Sequence, residues 1–205
     1  MSKTTETRKE YVDVGAFWKV RIEEQINILN SIAINTTLLE QIHRGAQLIC
    51  DAFRSDKKLF LCGNGGSAAD AQHLATEFVS RFLKERRALD AEALTVNTSS
   101  ITAIGNDYNF ERVFSRQVEA KGRPGDVLIG ITTSGNSGNV VEAILAAKAI
   151  GMQTIGLTGG DERSRLYEMC DLCIGIPSLS TPRIQEAHIL IGHMLCEFVE
   201  QALFE

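Results

Sequence analysis

Proline is scarce in this 205-residue chain, three residues in all, and aromatic side chains make up only 6%. That composition excludes collagen-like and proline-rich disordered sequence. No uninterrupted apolar run approaches the roughly 18 residues that a membrane-crossing helix needs. The amino terminus, Met1-Ser2-Lys3-Thr4-Thr5-Glu6, lacks the apolar stretch and small-residue cleavage site of a secretory leader, so a cytoplasmic location is expected. Positive charge is not in excess: 21 Lys and Arg face 26 Asp and Glu, a formal net charge of −5. A protein whose main task is to grip nucleic acid or an anionic membrane is therefore not expected. The five cysteines (Cys50, Cys62, Cys170, Cys173, Cys196) are odd in number and scattered, which argues for free thiols over a disulfide framework. Cys170-x-x-Cys173 has no second CxxC to complete a zinc knuckle, and buried or partly buried thiols are the expectation there.

What is present describes an ordinary globular protein: 44% hydrophobic and 23% charged residues. The length suits a single domain spanning 1–205. No internal repeat or linker divides it. Two amphipathic helices come first. Trp18, Ile22, Ile26, Leu29 and Ala33 form a stripe at helical spacing, and Leu39, Ile42, Ala46, Ile49 and Phe53 form another after a capping-box sequence, Thr37 to Glu40. Because no strand precedes it, the first helix can pack against another subunit as readily as on its own domain. The segment of about 10–56 is thus a candidate oligomer contact.

From Lys58 onward, short apolar runs at 59–62, 93–96, 127–131, 154–157 and 172–176 read as five strands buried on both faces. Helical stretches at about 67–84, 107–121, 137–150, 161–169 and 183–204 lie between or after them. This alternation predicts an α/β fold, a three-layer doubly wound parallel five-stranded sheet with N-terminal helices. Ligands of such sheets sit beyond the carboxyl ends of the strands.

Two loops at that end are unusual. After the first strand comes Gly63-Asn64-Gly65-Gly66-Ser67, where glycines let backbone N–H groups turn toward an anion at a helix N-terminus. A tight turn that binds nothing accounts for the same residues. After the third strand comes Thr132-Thr133-Ser134-Gly135-Asn136-Ser137. Four hydroxyls in six residues exceed what one helix cap requires and suit a phosphate monoester held by neutral donors. Beyond the glycine loop, His73 and Glu77 are i and i+4 on one helix face, an arrangement that also fits a surface ion pair. The last helix carries Gln185, His188 and His193 in an apolar segment, where core histidines are the alternative. Nothing singles out His43.

Four segments in order, CGNGGSAADAQHLATEF (62–78), AIGNDYNFERVFSRQV (103–118), DVLIGITTSGNSGNVV (126–141) and PRIQEAHILIGHMLCEFVE (182–200), give the chain its resemblance to a known group. Over roughly 15–204 it resembles the phosphoheptose isomerase family of the sugar isomerase (SIS) fold. The resemblance implies a tetrameric aldose–ketose isomerase with one divalent metal, zinc, per subunit. Its metal ligands would be His73, Glu77, Gln185 and His193, and its acid/base pair Glu77 and His193. Substrate contacts would come from Asn64, Gly65, Gly66, Ser67, Glu77, Arg81, Asn106, Asp107, Thr132, Thr133, Ser134, Ser137 and Gln185. Some members have Asp immediately before Arg-Ile-Gln, where this chain has Pro182. The reaction implied converts sedoheptulose 7-phosphate to D-glycero-D-manno-heptose 7-phosphate, the first step toward nucleotide-activated heptose for lipopolysaccharide or related glycans.

The chemistry explains the residue types. Isomerisation through an enediol moves a proton between neighbouring carbons, which suits a carboxylate, while a histidine manages the protons on the two oxygens. A metal beside both could polarise the carbonyl. Gln185 and His193 stand about 12 Å apart along a helix, so sharing one ion requires their side chains to lean together, and His188 is a possible substitute. Two other classes compete: a non-catalytic SIS protein that binds the bacterial replication initiator, and a sugar-phosphate sensor. Both are disfavoured by the retained Glu77 and His193.

Overall fold

The structure, a computed structural model, describes residues 14–205; the amino-terminal residues read above and the start of the expected helical segment at residues 10–13 lie outside them. Two helices, α1 (Val14–Ile34) and α2 (Thr36–Arg54), precede the sheet. The Thr37 capping box is not what starts α2. Asn35 caps it instead, its side chain accepting from the Leu38 N–H, and the helix begins two residues early.

Five parallel strands follow: β1 (Leu59–Gly63), β2 (Ala91–Ala93), β3 (Val127–Thr132), β4 (Gln153–Gly159) and β5 (Leu172–Ile176). Their order across the sheet is β2-β1-β3-β4-β5. β1 and β3 are register partners from Leu59↔Val127 to Gly63↔Ile131. The chain order reverses between these two strands, and the crevice that a reversal opens is where doubly wound sheets bind ligands. Strands buried on both faces are possible because two separate cores sandwich the sheet. Leu59, Leu61, Ile129, Ile131 and Ile155 pack under α1, α2, α3 (Gly66–Val79) and α8 (Thr181–Phe204). Phe60, Cys62, Leu128 and Cys173 pack under α4 (Thr98–Asp107), α5 (Ser115–Lys121), α6 (Gly138–Ile150) and α7 (Arg165–Met169).

Several expected boundaries move. The second strand occupies 91–93 rather than 93–96. The helix expected over 107–121 is a 3-10 turn at Phe110–Arg112 followed by α5, because Asn109 is extended and its side chain takes the Arg112 N–H, diverting the backbone; α4, which ends at Asp107, was not expected. The helix expected to reach 84 stops at Val79. The one expected from 161 starts at Arg165, after a turn in which Asp161 accepts from the Arg163 N–H.

On α1, Ile32 is buried while Ile28 and Leu29 pack partly against the core. Trp18, Ile22 and Ile26 of the expected stripe stay exposed, at 60%, 60% and 49%. All five cysteines are free, four buried and Cys170 half-buried. Burial pushes the Cys170 and Cys173 thiols up to about 12, which disfavours the thiolate form. Among the described residues no helix is long and apolar enough to cross a membrane.

Candidate active site

The loops after β1 and β3 meet across the switch point. Asn64 and Asn139 exchange two hydrogen bonds of 2.8 Å each, amide to amide, so the glycine loop is pinned to the first turn of α6. Gly65 adopts φ +56°, the left-handed region that glycine enters without strain, and α3 begins immediately after it. No side chain caps α3 or α6, which leaves the leading N–H groups of both helices directed at the crevice, where an anion gains most from them.

The hydroxyl loop is internally ordered. Thr132 Oγ1 lies 2.7 Å from Ser137 Oγ and 3.3 Å from Ser134 Oγ, and Ser134 Oγ accepts from the Asn136 N–H. Gly135, at φ +66°, makes the turn; a Cβ there would lie 2.2 Å from Ser164 Oγ. Thr133, Ser134 and Asn136 line a cleft of about 260 Å3 with Gly160, Asp161, Leu179 and Thr181.

The titratable residues converge from two helices. His73 Nε2 lies 2.8 Å from His193 Nε2 and 3.5 Å from Glu77 Oε1. One ligand atom from each of the three falls within 4.8 Å of the others. Contact depends on a close crossing of α3 and α8. Gly192 faces Leu74, where a Cβ would lie 2.5 Å from the leucine side chain, so the absence of a side chain beside His193 lets the helices approach. Phe82 lies against the His193 ring, centroids 5.6 Å apart. Two imidazoles and a carboxylate form a donor set suited to zinc or a similar ion. Zn–N and Zn–O bonds of about 2.1 Å place tetrahedral ligand atoms about 3.4 Å apart, so the two histidines need to open by only about half an ångström to admit one.

The remaining expected residues fall in distinct places. Gln185 lies over the glycine loop: a Cβ on Gly66 would be 2.5 Å from its Nε2. Ser67 is buried below that loop, where a Cβ on Gly63 would meet it. Arg81 is exposed just past α3. Asn106 donates to Asp107 at 2.9 Å, and this pair stays exposed at the end of α4, without a contact to the histidine cluster among the described residues. His188 is not a substitute ligand. It is fully buried, its Nε2 faces the Thr158 carbonyl at 3.1 Å, and a carbonyl can only accept, so Nε2 carries the proton. Burial pulls its pKa down to about 4. The sequence assigns no role to Asn139, although it stands two residues past the hydroxyl loop, and carries no local signal for Phe82.

Comparison with known proteins gives the family. Residues 24–159 match the SIS domain family. The chain is 50% identical over 188 residues to the phosphoheptose isomerase of Clostridium acetobutylicum, covering 92% of this chain and 95% of that one. It is 58% identical over 160 residues to the phosphoheptose isomerase of Roseiflexus, covering 78% and 81%. Among solved structures, the phosphoheptose isomerase of Neisseria gonorrhoeae superposes with a TM-score of 0.85 at 42% identity, over 92% of this chain and 99% of that one. That from Francisella tularensis gives 0.88 at 35% identity, over 93% and 100%. A glycine loop and a hydroxyl loop joined at the switch point, a histidine–glutamate cluster beside them and near-complete overlap with these relatives place the chain in the phosphoheptose isomerase family of SIS-domain proteins.

Proposed function

We propose that this protein isomerises sedoheptulose 7-phosphate to D-glycero-D-manno-heptose 7-phosphate, supplying heptose for nucleotide activation and glycans such as lipopolysaccharide. The observation that carries the reading is the meeting of Glu77 with His73 and His193 in a chain half identical to phosphoheptose isomerases.

The substrate phosphate sits against Thr132, Thr133, Ser134 and Ser137, whose hydroxyls and the α6 N-terminus offer donors without a fixed cation. Asn64, Gly65, Gly66, Ser67 and Gln185 hold the sugar backbone from the glycine side. Arg81, Asn106 and Asp107 close over it from the exposed rim. Glu77 takes the proton from C1 of the open-chain ketose and returns it to C2, leaving an aldehyde at C1. His193 carries the accompanying proton between the two oxygens, from O1 to O2. His73, Glu77 and His193, with Gln185 as the fourth, are the residues that would hold a single zinc ion. When bound, that ion supplies Lewis-acid polarisation of the substrate oxygens.

The active form is proposed to be a homotetramer. Support comes from Trp18, Ile22 and Ile26, a contiguous apolar strip left exposed on α1, which lines a groove with Arg183 and Glu186 of α8.

The test is conversion of sedoheptulose 7-phosphate followed by NMR, with metal-loaded and chelator-treated protein side by side. Aldoheptose phosphate formed by the loaded protein, lost on chelation and restored by zinc, is the expected result. Turnover indifferent to chelation removes the metal from the reading. No turnover by folded, zinc-loaded protein overturns it in favour of a sugar-phosphate binding role.

A further inference from the structure

We propose that Arg86 and Glu200 are positioning residues: a buried ion pair that locks the end of α3, and with it Glu77, onto the helix that presents His193. Both side chains are 2% exposed, with Arg86 Nε 3.1 Å from Glu200 Oε1. Glu200 follows His193 on α8 by seven residues, two turns along the same face. Its carboxylate accepts the N–H groups of Phe82 at 3.1 Å, Leu83 at 2.7 Å and Lys84 at 2.9 Å. The Arg86 guanidinium donates to the carbonyls of Glu77 at 2.8 Å, Phe78 at 2.7 Å and Ser80 at 2.8 Å.

A helix ends with carbonyls that have no donor of their own. Here three carbonyls at the end of α3 are gathered by a cation that α8 itself fixes. The same carboxylate arranges the segment that carries Arg81 and sets Phe82 against the His193 ring. Stability alone does not account for the device, because burying two charges costs desolvation, and apolar residues of equal volume often serve a fold as well or better. What apolar residues cannot reproduce is the directed set of bonds that fixes Glu77 relative to His193. Displacement of a reacting group by about 1 Å costs about 10²-fold in rate.

The test uses Arg86→Lys, which keeps a charge opposite Glu200 but cannot span three carbonyls, and the double variant Arg86→Met/Glu200→Met, which replaces the pair with apolar volume. Thermal melts identify the folded preparations. The kinetic arm rests on the isomerase reading: kcat for sedoheptulose 7-phosphate is expected to fall about 10²-fold with KM within about threefold of wild type. The second arm is independent of it. Ring-nitrogen NMR signals of His73 and His193 in metal-free protein are expected to move away from their wild-type positions. A folded variant with wild-type kcat and unmoved histidine signals would overturn the proposal. If wild-type protein turns over no substrate, the isomerase reading fails while the histidine signals still decide this one.

Discussion

In the proposed mechanism Glu77 is the residue on which the chemistry turns, because among the described residues it alone combines a carboxylate with contact to a histidine of its own helix and a place in the cluster that includes His193. Replacing it by Gln removes the base and keeps the volume, so kcat is expected to fall by about 10²–10⁴ with KM close to wild type. Steady-state kinetics check this. The hydroxyl loop behaves differently. Its proposed ligand is a phosphate that does not change during reaction, so Ser134→Ala or Ser137→Ala should raise KM and spare kcat. An unchanged KM with reduced kcat would remove the phosphate from that loop. His188 gives a stability prediction. Its pKa is about 4 in the folded protein against about 6.5 when unfolded. Between those values the unfolded chain holds the extra proton, so stability present above pH 6.5 is lost as pH falls toward 4. The loss approaches about 1.4 kcal/mol per pH unit. Urea unfolding from pH 7.5 to 4.5 should show this component in wild type and lack it in His188→Gln; identical slopes would contradict it. His73 and Glu77 were legible as neighbours from their spacing alone. His193 stood out only as one of the polar residues on the last helix; its contact with His73 crosses 120 positions, and the family resemblance alone joined the two.

Elements buried on two faces were the easiest to read. Four of the five strands lie within about a residue or two of the apolar runs that predict them, a normal spread for element ends. The exception is β2 at the sheet edge, where Leu94 still donates to the Leu61 carbonyl beyond the last paired residue and the apolar run outlasts the strand. Helix ends were less legible, for reasons remote in sequence. α3 stops at Val79 because, past Ser80, the N–H groups of Phe82 and Leu83 go to Glu200 and the carbonyls of Glu77 and Phe78 to Arg86, more than a hundred positions away in the first case. The crossing of α3 and α8 carries its own prediction. Gly192→Ala forces Leu74 aside, at about 1–3 kcal/mol of stability. By separating His193 from His73 it should also lower kcat and weaken zinc binding. Wild-type kcat in this variant would show that the close crossing is not what brings the histidines together.

At the scale of the whole molecule, the sheet places two uncapped helix N-termini at one crevice while the last helix returns across the same face to deliver His193. The fold class was readable because repeated β-α alternation admits few other solutions. The exposed strip on α1 is the feature a lone chain leaves unexplained. Light scattering at micromolar concentration should report a tetramer, and Ile22→Glu should dissociate it; a wild-type monomer would contradict the assembly. The central claim, proton transfer by Glu77 between adjacent carbons of a sugar phosphate, is tested most directly by running sedoheptulose 7-phosphate in heavy water. Wild-type protein is expected to introduce deuterium at the carbons that exchange the proton, C1 of the ketose and C2 of the aldose, and folded Glu77→Gln to introduce none at a comparable rate. Deuterium entering at the wild-type rate in the Glu77→Gln protein would contradict the account.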